Sequence, residues 1–249
     1  MPEEIGVSKD VKRTMRYISP ERQNAIGSFC GECNGREYEE YTDPELALMS
    51  VDQPALVGED ADVFLNYSGY NFRNINNAAR GRWNYEENGN ADRAEFEQMA
   101  SKMKRAIDQN QSSVGNIKVF RGVTLDYFRD YGIYSLEDMD ALKGQMLLDK
   151  GFVSTSLVDS RCFYKMENDL GLNYNVKIEY LVPEEFTDGI CLSSLTYSPG
   201  QCEYLINAWN MAKVVDVIHD GNDGVIVKAC LVPKKVYDEY YSYGTGSVK

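Results

Sequence analysis

The sequence predicts an α+β domain, a helical N-terminal half packed on two β-sheets. Two observations carry that prediction. Apolar residues recur at helical spacing through the first part of the chain, most clearly Phe96, Met99, Met103 and Ile107. From Ile117 onward the pattern changes to short strand-like runs that recur almost to the C-terminus. No internal repeat or low-complexity tract interrupts this order.

Residues 1–44 are charged, contain Gly27, Gly31 and Gly35, and show only weak helical periodicity from Val11 to Ile18. They read as an N-terminal extension packed against, or trailing from, a main domain over 45–235. Pro44 opens a short helix through Met49. Helices are expected next over 59–67, 72–79 and 92–108. Strand character begins at Ile117 and returns near 145–148, 152–155, 176–182, 189–192, 204–207, 214–219 and 224–231. Ser135 with Asp138 reads as a capping box for a short helix through Leu142. Residues 236–249 form a tyrosine-rich tail.

Composition narrows the function. The 249 residues are 43% hydrophobic, enough for a sizeable core, and no apolar run approaches the ~18 residues of a membrane span. Lys and Arg number 26 against 39 Asp and Glu, a net charge of −13. That balance disfavours broad attraction to a phosphate backbone and makes nucleic acid the less expected target. The start, Met-Pro-Glu-Glu-Ile-Gly, lacks the basic-then-apolar pattern of a secretory signal. The expectation is a protein that stays in the producing cytoplasm, or leaves by a route needing no such signal.

Six cysteines do not suggest a disulfide framework. Cys162, Cys191, Cys202 and Cys230 lie singly in or beside apolar stretches and read as small core residues. Cys30 and Cys33 form a lone Cys-x-x-Cys with one distant His219. Zinc needs about four ligands, so no metal is expected, and the pair reads as unstructured or redox-active.

Chemistry concentrates in three segments. The run Tyr197 to Ile206 places Gln201 and Glu203 two apart after a Pro-Gly turn. On a strand they would share one face, an amide beside a carboxylate. Upstream lie Val119-Phe120-Arg121-Gly122 and Gly151-Phe152-Val153-Ser154-Thr155-Ser156-Leu157. In the latter, Ser154 and Ser156 share a face and Thr155 points away.

In this order the segments resemble the bacterial mono-ADP-ribosyltransferases marked by an arginine, a Ser-Thr-Ser and a late glutamate. Tyr67, Phe72, Asn76 and Arg80 follow the spacing of that family's NAD-contacting helix, and the resemblance runs from about Glu59 to Pro233. It implies a β-sandwich with NAD, the co-substrate, held in a cleft between sheets and helices. Glu203 would then stabilise positive charge developing on the ribose as nicotinamide leaves, or bind a ribose hydroxyl. Ser154 would hold that glutamate, with Thr155 and Ser156 beside it in the pocket. Arg121 would fork onto the pyrophosphate, Gly122 would let a ligand approach the backbone, and Arg80 would add a second phosphate contact or form a structural ion pair.

Phe163 falls where the family packs an aromatic on nicotinamide, though it could equally be core. The arginine often found three residues later is replaced here by Met166, with Lys165 adjacent. Tyr197 lies in the place of an exposed aromatic on the target-recognition loop. Arginine-modifying members usually carry glutamate where this chain has Gln201. An amide has no charge to pair with a guanidinium and suits an amide or hydroxyl acceptor. The sequence is similar in this respect to the Rho-modifying exoenzymes, and more broadly to the catalytic subunits of binary actin-modifying toxins. The resemblance therefore implies a toxin- or effector-like transferase acting on a protein. The alternatives are a transferase acting on nucleic acid, an NAD glycohydrolase, or a non-catalytic binding module. No Gly-x-Gly-x-x-Gly is present, so hydride transfer on a dinucleotide fold is not expected.

Overall fold

The computed structural model describes residues 19–52, 54–83, 92–167, 171–192, 194–221 and 223–236. The weak periodicity at Val11–Ile18 and the tyrosine-rich tail lie outside these residues.

Three helix starts, those of Pro20–Asn34, Pro44–Ser50 and Arg93–Gln109, are capped by a side chain. Helix α1 (Pro20–Asn34) opens on Ser19, whose hydroxyl accepts the Arg22 amide at 3.3 Å, with proline at the first helical position. Asp43 caps α2 (Pro44–Ser50) through the Glu45 amide at 2.8 Å. Helix α3 (Glu59–Asn66) passes into a π turn, Tyr67–Asn71, broken at Gly69, and then into α4 (Phe72–Ala79). Helix α5 (Arg93–Gln109) starts at Asp92, which accepts the Ala94 amide at 2.9 Å. Its inner face is Phe96, Ala100, Met103, Ala106 and Ile107, with Met99 only partly covered. The expected capping box is corrected. Ser135 bonds the Asp138 carboxylate, not a backbone amide, and the short helix expected through Leu142 forms as a 3-10 helix, Glu137–Leu142.

The strands are β1 (Ile117–Val123), β2 (Met146–Asp149), β3 (Val153–Ser156), β4 (Met166–Glu167), β5 (Asn173–Tyr174), β6 (Val176–Val182), β7 (Gly189–Cys191), β8 (Glu203–Ile206), β9 (Asn210–His219) and β10 (Val225–Leu231). Eight follow the order β2-β9-β10-β6-β1-β3-β8-β7, and β4 pairs with β5 separately. The expected two sheets are thus two halves of one hydrogen-bonded order. Their junction is a single residue pair, Phe120 opposite Ser156, where β1 meets β3. β1 pairs with β6 along its whole length instead.

Two cores follow from this division. One lies between the two halves and takes in α1, through Ile26, Cys30 and Cys33, with Val119, Ile178 and Val227 from the five-strand half and Val153, Tyr204 and Ile206 from the three-strand half. The other joins α3, α4 and α5 to the three-strand half, through Phe64, Ile75, Met103, Phe152, Ile190 and Leu205. Burying each of these large side chains contributes about 1.5–3 kcal/mol relative to exposure. The cleft between the helices and the β1–β3 junction lies where the two cores meet.

The cysteine expectation is corrected as well. Cys33 forms a disulfide with Cys230 of β10, and Cys30 is buried on the same helix as a free thiol, its pKa pushed up by burial to about 11. Sequence spacing could not reveal a partner 197 residues away. The bond, together with a parallel bridge between Glu39 and Ile117, fastens residues 20–44 to the main sheet. No described helix is long and apolar enough to cross a membrane.

Candidate active site

Strands β1, β3 and β8 deliver Arg121, Ser154 and Glu203 to one cavity of about 480 Å³, closed on the other side by the π turn and α4. Glu203 is the first residue of β8 and is buried. Burial raises its carboxyl pKa; a hydrogen bond from Ser154 and the charge of Arg121 oppose that rise without cancelling it.

Ser154 is itself held. Its hydroxyl lies 3.1 Å from that of Tyr67, and Tyr67 accepts the Asn76 side-chain amide at 3.1 Å. The Asn76 carbonyl oxygen accepts the backbone amide of Phe152 at 2.7 Å. A chain of bonds therefore runs from α4 through Tyr67 to the strand that positions Glu203. Burial first, and the neighbouring carboxylate second, push the Tyr67 pKa up to about 12, so its hydroxyl stays protonated.

Gln201 and Glu203 do meet at the cavity, but not by strand alternation. Gln201 ends an exposed 3-10 turn, Pro199–Gln201, and Cys202 takes a left-handed conformation (φ 50°) before β8 begins. The Pro-Gly turn that was expected to precede the strand consumes Gln201 instead. Ser156 fixes this turn, its hydroxyl 2.9 Å from the Gln201 carbonyl. Thr155 also lines the cavity, with its hydroxyl committed to the Tyr204 carbonyl at 2.6 Å.

Arg121 has a buried Nη1 with no hydrogen-bond partner, and its guanidinium lies over the Tyr127 ring, 5.5 Å from the centroid. A buried, unsatisfied guanidinium nitrogen costs free energy unless something binds it. It is the strongest mark of an anion site here.

The sequence model of the "ADP-ribosyltransferase exoenzyme" family matches residues 54–234. The chain belongs to this exoenzyme family. Solved structures with the same fold include the Clostridium limosum C3 exoenzyme, at TM-score 0.60 and 18% identity over 79% of this chain and 98% of that one. C3stau2 from S. aureus, solved with NAD, aligns at TM-score 0.63 and 18% identity over 80% and 100%. BECa, an ADP-ribosylating toxin of a C. perfringens binary enterotoxin solved with NADH, gives 0.63 and 14% over 79% and 50%. No curated protein sequence matches the chain.

Within this exoenzyme fold, the ion pair that was one of the two expectations for Arg80 forms, and Tyr197 is exposed as expected. Arg80 does not line the main cavity. It pairs with Asp149 through two nitrogens, at 3.0 and 3.2 Å, and borders a neighbouring cavity of about 450 Å³ that shares Arg121. Gly122 lines the main cavity, and its missing side chain also makes room for protein: a Cβ there would lie 1.3 Å from the Phe163 carbonyl oxygen. Phe163 is 51% exposed, at the cavity rim and outside the core. Lys165 turns away to Asp220 and Asp223, 3.2 Å from each. Tyr197 is exposed, its amide bonded to the Ser68 hydroxyl at 3.3 Å and its ring against Gly69.

Other residues at the site escaped sequence reading. Tyr127 and Asp149 build the wall around Arg121 and Arg80, and Arg161 and Tyr174 line the main cavity. Asp149, a carboxylate at the end of an apolar strand two residues before Gly151, was the one available signal. The others carry no pattern in a single sequence.

Proposed function

We propose that this protein moves ADP-ribose from NAD to a side-chain amide or hydroxyl of a target protein. The observation that carries this reading is the buried Glu203 carboxylate, in a cavity also lined by Ser154 and containing the unpartnered Arg121 nitrogen. These residues fit NAD: a fork-shaped cation suits its pyrophosphate, and a carboxylate suits positive charge at the ribose. When NAD is bound it supplies the ADP-ribosyl group and a neutral leaving group, nicotinamide.

Glu203 has two tasks in this account. As an anion fixed before reaction, it favours the positively charged transition state over the ground state and needs no reorganisation. It can also accept a hydrogen bond from a ribose hydroxyl. Ser154 and Tyr67 keep the carboxylate from turning away. Gln201, exposed on the rim, is placed to offer its amide to an incoming acceptor, whose lost proton balances the bond it forms to ribose C1. Without acceptor, water can take the same position, so slow NAD hydrolysis accompanies transfer.

The first test is chromatographic: purified protein with NAD should release nicotinamide, and faster when a lysate supplies acceptors. No release under either condition would remove the assignment. Replacing Arg121 by lysine should weaken NAD binding by about ten-fold, because the charge stays but the second parallel bond is lost. Unchanged affinity by calorimetry would take Arg121 out of the phosphate site. Gln201→Ala should lose protein modification and retain slow hydrolysis. Equal loss of both would put Gln201 in the bond-breaking machinery, and robust modification of free arginine by the native protein would overturn the acceptor class.

A further inference from the structure

A pyrophosphate carries two negative charges, so the cations that reach the cavity decide how it is held. Arg80 is committed to Asp149 and Lys165 to Asp220 and Asp223. Lys177 donates to both oxygens of Asp159, at 2.8 Å each. Met166, where the family resemblance expects an arginine, is exposed and uncharged. The cavity-lining residues with a positive charge are Arg121 and Arg161.

Arg161 ends a 3-10 turn, Asp159–Arg161, directly after the Ser-Thr-Ser strand. The turn is tied down. Val158 donates to the Ser156 hydroxyl at 3.1 Å, and Arg161 and Cys162 donate to the carbonyls of Val158 and Asp159 at 3.0 Å each. The acidic residue nearest in sequence, Asp159, is taken by Lys177. Among the described residues, the exposed Arg161 side chain makes no ion pair. A fixed backbone thus presents an uncommitted guanidinium at the cavity mouth, two residues before Phe163, where the family pattern would have one three residues after.

The geometry points to Arg161 as the second pyrophosphate-binding arginine of this chain, acting at the mouth while Arg121 acts in the interior. This rests on the NAD reading above. Arg161 also borders a shallow groove with Met166, Ser198 and Gln201, so the competing role is contact with the protein acceptor. The two roles differ in which ligand feels the loss. A pyrophosphate contact is felt by NAD and by ADP-ribose alike, with or without an acceptor.

Calorimetry of NAD and ADP-ribose against the native protein, Arg161→Ala and Arg161→Lys separates them. Both ligands should bind the alanine variant about ten-fold more weakly, as expected for losing a charge-assisted bond, with lysine restoring part of the loss. KM for NAD in hydrolysis should rise by the same factor while kcat and the melting temperature barely move. Native affinity for both ligands in Arg161→Ala, with only protein modification impaired, would overturn the assignment in favour of acceptor contact. A native protein that binds neither ligand would instead sink the NAD reading and this inference with it.

Discussion

Replacing Glu203 by glutamine is expected to lower nicotinamide release and transfer by at least ~10²–10³, with NAD binding nearly intact. Size and hydrogen bonding are kept, and only the charge facing the developing cation is removed. More than a tenth of native activity in this variant would mean that another residue carries the charge. The same substitution should stabilise the fold near neutral pH. Burial raises the Glu203 pKa above 4.5, so the folded state holds its proton more tightly than the unfolded chain. Stability of the native protein therefore falls as pH rises from about the unfolded value through the raised folded value, where a buried carboxylate must ionise. Glutamine escapes that penalty. The gain in melting temperature over the native protein should thus be present at pH 7 and vanish on acidification below the unfolded pKa. A gain that persisted unchanged at low pH would show that it does not come from ionisation of Glu203.

The second large effect is structural. Gly122→Ala should destabilise the protein by about 3 kcal/mol, the upper end of overpacking penalties. A Cβ at this position meets the backbone of Phe163, with the carbonyl carbon at 2.3 Å as well as the oxygen, and backbone cannot rotate aside. Either β1 or the segment carrying Phe163 must move, and both line the cavity. For a chain of this size the melting temperature should drop by roughly 6–12 °C, with a rise in KM for NAD. A melting temperature within a degree of native would mean that the two backbones separate at little cost.

Much of this architecture was legible in the sequence because its signals are local. The 3.6-residue period of Phe96, Met103 and Ile107 and the alternation of Val176, Ile178 and Tyr180 in β6 depend only on which face is buried. Glu203, Ser154 and Arg121 were legible through short motifs whose neighbours pack the strands. What depended on distant partners was not legible. Arg80 carries a charge in the right place, and only the fold brings Asp149 to within 3.0 Å of it. Gly122 signals a close approach but not what approaches. Gln201 and Glu203 looked like strand neighbours because a left-handed residue such as Cys202 leaves no mark in sequence when it is not glycine.

The central claim is that Glu203 drives ADP-ribose from NAD onto a protein. It is tested most directly by incubating native protein and Glu203→Gln with adenylate-labelled NAD and a cell lysate, then treating the products with protease or nuclease. The account predicts label on macromolecules with the native protein only, released by protease and resistant to nuclease. Label released by nuclease, or equal labelling by the two proteins, would contradict it.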